Sequence, residues 1–317
     1  MRMGKQVYYA LAAVLLLTLG AARPLGKVIF EKNSRYHQIY VYQNGSTFSL
    51  VFGKQKGPTV QSQIDLRDRH RHLLEYSTLT YCGLLYKPEP KRILIVGLGG
   101  GMLPMDIRHY FPKTHVDVVE IDPDVAAVAR EVFGLEEGDG LKVHIRDGRV
   151  FVRELARQEK PAKYDIIILD AFNSDYIPFH LMTREFLEQA GAVLQEDGVV
   201  VANVFHTNKL FDAELATYLT VFKKVQPGSG SASGNTLSVA LGPAAEMLTP
   251  QDAYKKAEEL QEKHKFMFDL RQVARRLRPN PQPGRGAFVL TDDRAPVNVL
   301  RSQERDAKPD AKTHATK

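Results

Sequence analysis

Two hydrophobic rhythms divide this chain. From Val28 to Ile64, apolar and polar residues alternate in four short runs, Val28–Phe30, Gln38–Tyr42, Thr47–Phe52 and Thr59–Ile64, separated by turn residues such as Asn44-Gly45 and Lys56-Gly57-Pro58. Alternate positions share one face of a strand, so this stretch predicts a small hairpin sheet with one buried side. From residue 92 the apolar runs are continuous instead, as in Arg92-Ile-Leu-Ile-Val96 and Tyr164-Asp-Ile-Ile-Ile-Leu169. Apolarity on both faces marks parallel strands covered by helices. Strands are expected to end near 97, 121, 146, 170 and 204 with helices between them, the layout of an α/β, doubly wound, mostly parallel sheet.

The remaining pattern sets the boundaries. Arg69 to Tyr86 reads as helical and leads to Lys87-Pro-Glu-Pro90, a natural break before the large domain. The Pro227–Asn235 stretch, rich in glycine and serine, predicts a hairpin-like turn before a strand over Thr236–Leu241. Thr249 is expected to cap a helix with Pro250 at its first position and Asp252 in its first turn. The later arginines 271, 275, 276 and 278 are expected on a solvated face. The organisation that results is a hydrophobic amino-terminal segment over 1–25, a small β domain over 26–66, a helical connection over 67–90, a large domain over 91–301 and a disordered tail over 302–317.

Val7 to Ala22 is uncharged and mostly apolar, follows Arg2 and Lys5, and ends in Gly20-Ala21-Ala22. It is short for a span, which takes ~20 residues, and a signal, an anchor and a buried helix all remain open. Membrane association through residues 7–22 is therefore expected, with the catalytic domain cytoplasmic if it draws on a cytosolic cofactor and secreted or periplasmic otherwise.

Composition narrows the chemistry. With 317 residues, 44% of them hydrophobic, the chain can bury a full sheet with helices on both faces. The formal charge of +6 is spread out, and Leu66-Arg-Asp-Arg-His-Arg-His72 is the one dense basic run. With no interleaved aromatics it reads as a solvated face, so no nucleic-acid partner is expected. Cys82 is the only cysteine, which excludes an intrachain disulfide and a thiolate metal cluster. His70 and His72, two apart, would lie on different faces of a helix, and no metal is expected.

Residues 92–101, Arg-Ile-Leu-Ile-Val-Gly-Leu-Gly-Gly-Gly, form a strand running into a glycine turn. Gly97, Gly99 and Gly101 give G-x-G-x-G, whereas a dinucleotide fingerprint would want its last glycine where Met102 stands. That favours an S-adenosylmethionine (SAM) type of site over a pyrophosphate cradle. Glu120 follows Gly97 by 23 residues, at the end of the next strand, and Asp147-Gly148 and Asp170 close the two strands after it. Ligands of open α/β sheets bind at the carboxyl ends of the strands. Acids gathered on that one rim therefore point to a nucleoside cofactor. Asp117, Asp124 and Asp165 sit at strand starts or in a helix's first turn, where solvation or the helix dipole accounts for them.

Residues 34–208 and Leu290-Thr-Asp-Asp-Arg-Ala-Pro-Val297 resemble the spermidine synthase (polyamine aminopropyltransferase) family, particularly its divergent spermidine-synthase-like branch. The resemblance is carried by Ser34-Arg-Tyr-His-Gln-Ile39, the glycine loop, Val119-Glu-Ile-Asp-Pro123, Arg146-Asp-Gly148 and Leu169-Asp-Ala-Phe-Asn-Ser-Asp-Tyr-Ile-Pro178. It implies a seven-stranded sheet of the class I SAM-methyltransferase type behind a small β domain. It also implies transfer of an aminopropyl group from decarboxylated SAM to a diamine, releasing methylthioadenosine, and it suggests a homodimer. Carried over by position, Gly97, Gly99, Gly101, Glu120, Asp122, Asp147 and Gly148 would hold the nucleoside, with Glu120 on the ribose and Asp147 with Gly148 on the adenine. Asp170 would be the base, Asp175 would assist it, and Tyr36, His37, Gln38 and Tyr176 would face the substrate. The Ala171–Leu181 loop, with Phe172, Asp175, Tyr176, Ile177 and Pro178, would close over the acceptor as a lid; Asp293 would position that lid or cap its own turn, and Asn203 and His206 lie close enough to touch the site.

Two positions depart from the family pattern. Gly100 stands where an aspartate contacts the donor's amino group, and Asn173 stands where the gate loop has its second aspartate. Methyl transfer from intact SAM to a small substrate therefore competes with aminopropyl transfer. A membrane-tethered nucleoside-binding protein without turnover is the third reading.

Overall fold

The computed structural model describes residues 25–53, 59–171, 177–205, 209–228, 235–278 and 282–303. Residues 7–22 and the tail beyond 303 lie outside them. Among the described residues no helix is long and apolar enough to cross a membrane.

The alternating amino-terminal runs form β1 (Lys27–Asn33), β2 (Gln38–Asn44), β3 (Thr47–Phe52) and β4 (Thr59–Asp65), an antiparallel meander in the order β1-β2-β3-β4. Its inner face, Ile39, Val41, Leu50 and Ile64, packs on Phe133, Val125 and Val128 of the large domain. The small sheet thus shares a core with the helix that follows the second strand of the large one, and this fixes it above the carboxyl rim.

The predicted helix over 69–86 forms only in its second half, as α1 (Glu75–Leu79) and a 3₁₀ segment over Thr80–Leu85. Residues 66–74 are held in an irregular path by partners far along the chain. His70 Nδ1 and His72 Nε2 bind the two carboxylate oxygens of Asp106, at 2.8 and 2.9 Å, and Arg69 donates to the Phe133 carbonyl at 2.7 Å. Asp106 is fully buried. Both histidines of the basic run therefore turn the same way, inward to Asp106, while Arg67, Arg69 and Arg71 stay exposed as expected of a solvated face.

The large sheet has the order β10-β11-β9-β8-β5-β6-β7. Its parallel strands are β5 (Arg92–Val96), β6 (His115–Glu120), β7 (Leu141–Ile145), β8 (Tyr164–Leu169) and β9 (Leu194–Phe205). The chain moves outward from β5 through β6 to β7, then returns to β8 on the other side of β5. That reversal places the topological switch between β5 and β8, where open α/β sheets leave a crevice. β10 (Val225–Pro227) and β11 (Asn235–Leu241) add an antiparallel hairpin at the β9 edge, as expected. Helices α2 (Met102–Tyr110), α3 (Pro123–Glu131), α4 (Gly148–Ala156), α5 (Arg184–Ala192) and α6 (Lys209–Phe222) connect the strands, and α7 (Pro250–His264), α8 (Leu270–Ala274) and α9 (Val297–Arg301) follow. Thr249 caps α7 by accepting the Asp252 N–H at 3.1 Å.

The acids at the opposite, amino-terminal rim are not simply solvated. Asp165 is buried and accepts from the Lys91 and Arg92 N–H groups at 2.7 and 2.9 Å, with Lys87 Nζ at 3.2 Å. Asp117 is held by Arg92, His144 and Tyr164 at 3.0, 2.8 and 3.0 Å. Although burial pushes its carboxyl upward, those three donors keep it below the usual carboxylate range.

Candidate active site

The glycine loop is shaped by what presses on it. Gly97 has a φ of +103°, and a Cβ there would stand 2.4 Å from the Asp170 carbonyl oxygen. Both the conformation and the neighbouring strand end demand glycine. At Gly99 a Cβ would stand 2.5 Å from Ser62 Oγ, which itself accepts the Gly100 N–H at 2.9 Å. β4 of the small sheet thus closes over the loop.

Below the loop lies a cavity of about 450 Å³. Gly97, Leu98 and Gly99 form one side, Glu120 and Ile121 the next, then Asp147 with Gly148 and Asp170 with Ala171, the ends of four adjacent strands. Tyr36, His37, Phe52, Gln61 and Ser62 come from the small sheet and its turns, and the segment from Pro178 to Leu181 forms the remaining wall. No lysine or arginine lines the cavity among the described residues.

Each acid is held differently. Glu120 accepts the Leu98 N–H at 3.0 Å and the Asp122 N–H at 2.9 Å. Burial raises its carboxyl to about 7, against the pull of those two donors. Asp147 caps α4 by accepting the Val150 N–H at 2.9 Å, and His180 Nε2 stands 3.6 Å from its other oxygen. A Cβ on Gly148 would lie 2.6 Å from a Val96 methyl, so the first turn of α4 approaches the sheet as closely as glycine permits. Asp170 accepts one bond from Asn203 Nδ2 at 2.9 Å, and burial raises its carboxyl to about 6. His37 stacks on Phe52 at 4.1 Å, and burial lowers its pKa against the opposing charge of Asp122, leaving a neutral ring at pH 7.

The structure brings together Tyr36, His37, Gly97, Gly99, Glu120, Asp147, Gly148 and Asp170. Three expected site residues stand elsewhere. Asp122 is fully buried outside the cavity, where it caps α3 by accepting the Asp124 N–H at 2.9 Å and receives the Ser34 hydroxyl. Because Ser34 Oγ also accepts the His37 N–H at 2.8 Å, Asp122 acts on the site by fixing the turn that carries Tyr36 and His37. Gly101, at a φ of +77°, is the residue before α2, and a Cβ there would meet Leu135 at 3.2 Å, so it serves helix packing. Gln38 is exposed at the start of β2. Phe172, Asp175, Tyr176, Asn173 and His206 lie outside the described residues.

The sequence carried no signal for Phe52, Gln61 and Ser62, whereas the Pro178–Leu181 wall belongs to the Ala171–Leu181 loop expected to cover the site. The alternation in β3 and β4 told which residues share a face, but not that the face meets the glycine loop of another sheet. Asn203 was a neighbour by position, and its bond to Asp170 makes it a positioning residue for that carboxylate.

Comparison with known proteins agrees with this geometry. A family model described as "Spermine/spermidine synthase domain" matches residues 73–228. A polyamine aminopropyltransferase from Vibrio vulnificus is 37% identical over 296 residues, covering 90% of this chain and 96% of that protein. A mouse protein named eEF1A lysine and N-terminal methyltransferase is 38% identical over 151 residues, 44% of this chain and 22% of its own. Among solved structures, a probable spermidine synthase from Corynebacterium glutamicum superposes with a TM-score of 0.65 at 20% identity, covering 85% of this chain and 97% of that one, which supports the fold. With its strand-end acids gathered around one crevice and a close relative matching nearly end to end, the chain belongs to the spermine/spermidine synthase family of polyamine aminopropyltransferases.

Proposed function

We propose that this protein transfers an aminopropyl group from decarboxylated SAM to a small amine, releasing methylthioadenosine. The observation that carries the reading is a cavity ringed by three carboxylates, Glu120, Asp147 and Asp170, with no lysine or arginine among its described lining residues. Such a field draws in cations. It suits a sulfonium donor ending in an ammonium and a cationic acceptor, and among the described lining residues it offers no lysine or arginine to pair with the carboxylate of intact SAM.

In this reading Glu120 receives the ribose hydroxyls, and Asp147 and Gly148 face the adenine. The amine nitrogen attacks the carbon beside the sulfonium, the carbon–sulfur bond breaks, and its electron pair stays on sulfur as a neutral thioether. Asp170 Oδ takes the proton that the new carbon–nitrogen bond makes acidic. A carboxyl near 6 is ionised at neutral pH and still a better base than an ordinary aspartate. Gly100 leaves little room for the family's aspartate, since a Cβ there would lie 3.0 Å from both Phe133 and Ser62, so the donor's ammonium lacks that contact in this chain.

Methyl transfer is the second reading, favoured by Gly100 and by the local identity to the mouse methyltransferase. One experiment separates the two: mass spectrometry of products after offering both donors with a panel of diamines. Methylthioadenosine from decarboxylated SAM supports aminopropyl transfer. S-adenosylhomocysteine from intact SAM alone would replace it with methyl transfer. Tethering through residues 7–22 belongs to the same proposal, supported by the apolar run behind Arg2 and Lys5. It is tested by whether deleting 7–22 releases the protein from the membrane fraction. A homodimer, suggested by family resemblance, is tested by sedimentation.

A further inference from the structure

The wall over the adenine subsite is held from outside the cavity. Arg149, in the first turn of α4 and two residues beyond Asp147, sends its guanidinium away from the cavity to the Thr291–Arg294 turn near the carboxyl end. Nη1 donates to Asp292 Oδ1 at 2.7 Å, and Nη2 binds Oδ2. The same Nη1 lies 2.9 Å from the His180 carbonyl oxygen and 3.1 Å from Thr183 Oγ1, and the Thr183 hydroxyl donates to Asp292 Oδ1 at 2.7 Å. The Asp292 N–H in turn donates to Glu185 at 3.0 Å. One bidentate pair therefore joins three pieces of chain: the base-binding end of α4, the Pro178–Leu181 wall, and the carboxyl-terminal turn. Arg149 beside Asp292 holds that carboxyl below its usual range. The turn has its own anchors, since the Arg184 N–H donates to the Leu290 carbonyl at 2.8 Å and Leu290, Val297 and Leu300 pack on Met182, Leu210 and Ala213.

We propose that Asp292 is a positioning residue for donor binding: through Arg149 it sets the Pro178–Leu181 wall against Asp147 and Gly148, so that the nucleoside base enters a slot of fixed width. Asp293, the residue singled out in the sequence, is exposed like Asp292 but lacks this geometry. A planar fork with two parallel bonds fixes orientation as well as distance, which a lysine at 149 could not do. Because the apolar anchors of the turn are separate, losing the carboxylate loosens the wall without unfolding the turn.

The inference rests on the nucleoside reading of the cavity, and the test is chosen to separate the two. Methylthioadenosine is titrated calorimetrically into the full chain, and the KM for donor and for amine is measured alongside. Asp292→Asn is expected to weaken nucleoside binding and raise the donor KM roughly tenfold, the order of one charge-assisted pair, while the amine KM stays within about twofold. Arg149→Lys should match it, the double variant should be little worse than either single one, and Asp292→Glu should recover most of the affinity. Unchanged nucleoside affinity in Asp292→Asn, or donor and amine KM rising together with a lowered Tm, would overturn the clamp while leaving the cavity's function intact. If the wild-type protein binds no methylthioadenosine at all, the nucleoside reading falls and the clamp with it.

Discussion

The two rims of the large sheet carry acids of the same kind in opposite circumstances. At the amino-terminal rim, Asp117 is met by Arg92 and His144, and Asp165 by Lys87 and two backbone N–H groups. At the carboxyl-terminal rim, Glu120 and Asp170 receive only neutral donors among the described residues, and burial pushes their carboxyls up instead of down. A carboxylate paired inside the protein has its electrostatic work completed by folding. One left facing a cavity with no lysine or arginine among its described lining residues is held ready for a charge that arrives from outside. The contrast separates function from structure at positions that a sequence shows only as aspartate and glutamate.

The largest effect that could break this contrast is at Asp170, the proposed base. Asp170→Asn should lower kcat by about 10²–10⁴, the range of general-base catalysis, while methylthioadenosine affinity changes little; parallel loss of binding would mean that Asp170 holds the nucleoside. Next comes Glu120, the proposed ribose acid. Glu120→Gln should weaken nucleoside binding by roughly ten- to a hundredfold, as expected for removing charge-assisted bonds, and calorimetry measures it.

The pH profile sharpens the comparison further. In the proposed role Glu120 accepts two ribose hydroxyls as a carboxylate, so nucleoside affinity should fall as pH drops through about 7, and kcat/KM should fall further as Asp170, the proposed base, protonates near 6. Stability runs in opposite senses at the two rims. The raised carboxyl of Glu120 contributes stability below its unfolded pKa, and that contribution is lost as pH rises through about 7. The lowered carboxyl of Asp117 contributes above its unfolded pKa and loses its contribution on acidification. The smallest kinetic effect is accordingly expected for Asp117→Asn. It should cost about 1–3 kcal/mol in denaturant unfolding at pH 7, less at pH 4, with kcat and both KM values near wild type.

Much of this was legible in the chain. Continuous apolar runs gave the parallel strands and located their ends to within a residue or two. The glycine spacing and the strand-end acids Glu120, Asp147 and Asp170 marked the rim because strand ends follow from local pattern alone. What escaped was tertiary. His70 and His72 depart from a helix because Asp106 is 36 and 34 residues away, a contact with no local signal. Ser62 reaches the glycine loop only because two sheets share a core through Ile64 and Phe133. Asp122 sits beside Glu120 in sequence, yet its side chain turns to Ser34 and the α3 N-terminus, the ordinary destination of an aspartate preceding a helix. Asp292, rather than Asp293, clamps Arg149 for a reason that only the folded turn supplies.

The most direct test of the central claim is a calorimetric titration of methylthioadenosine at pH 8 into the wild-type protein, Glu120→Gln and Asp117→Asn. Saturable binding by the wild type is expected, with strong weakening in Glu120→Gln and wild-type affinity in Asp117→Asn. Absence of binding by the wild-type protein, or equal weakening by substitutions at the two rims, would contradict that claim.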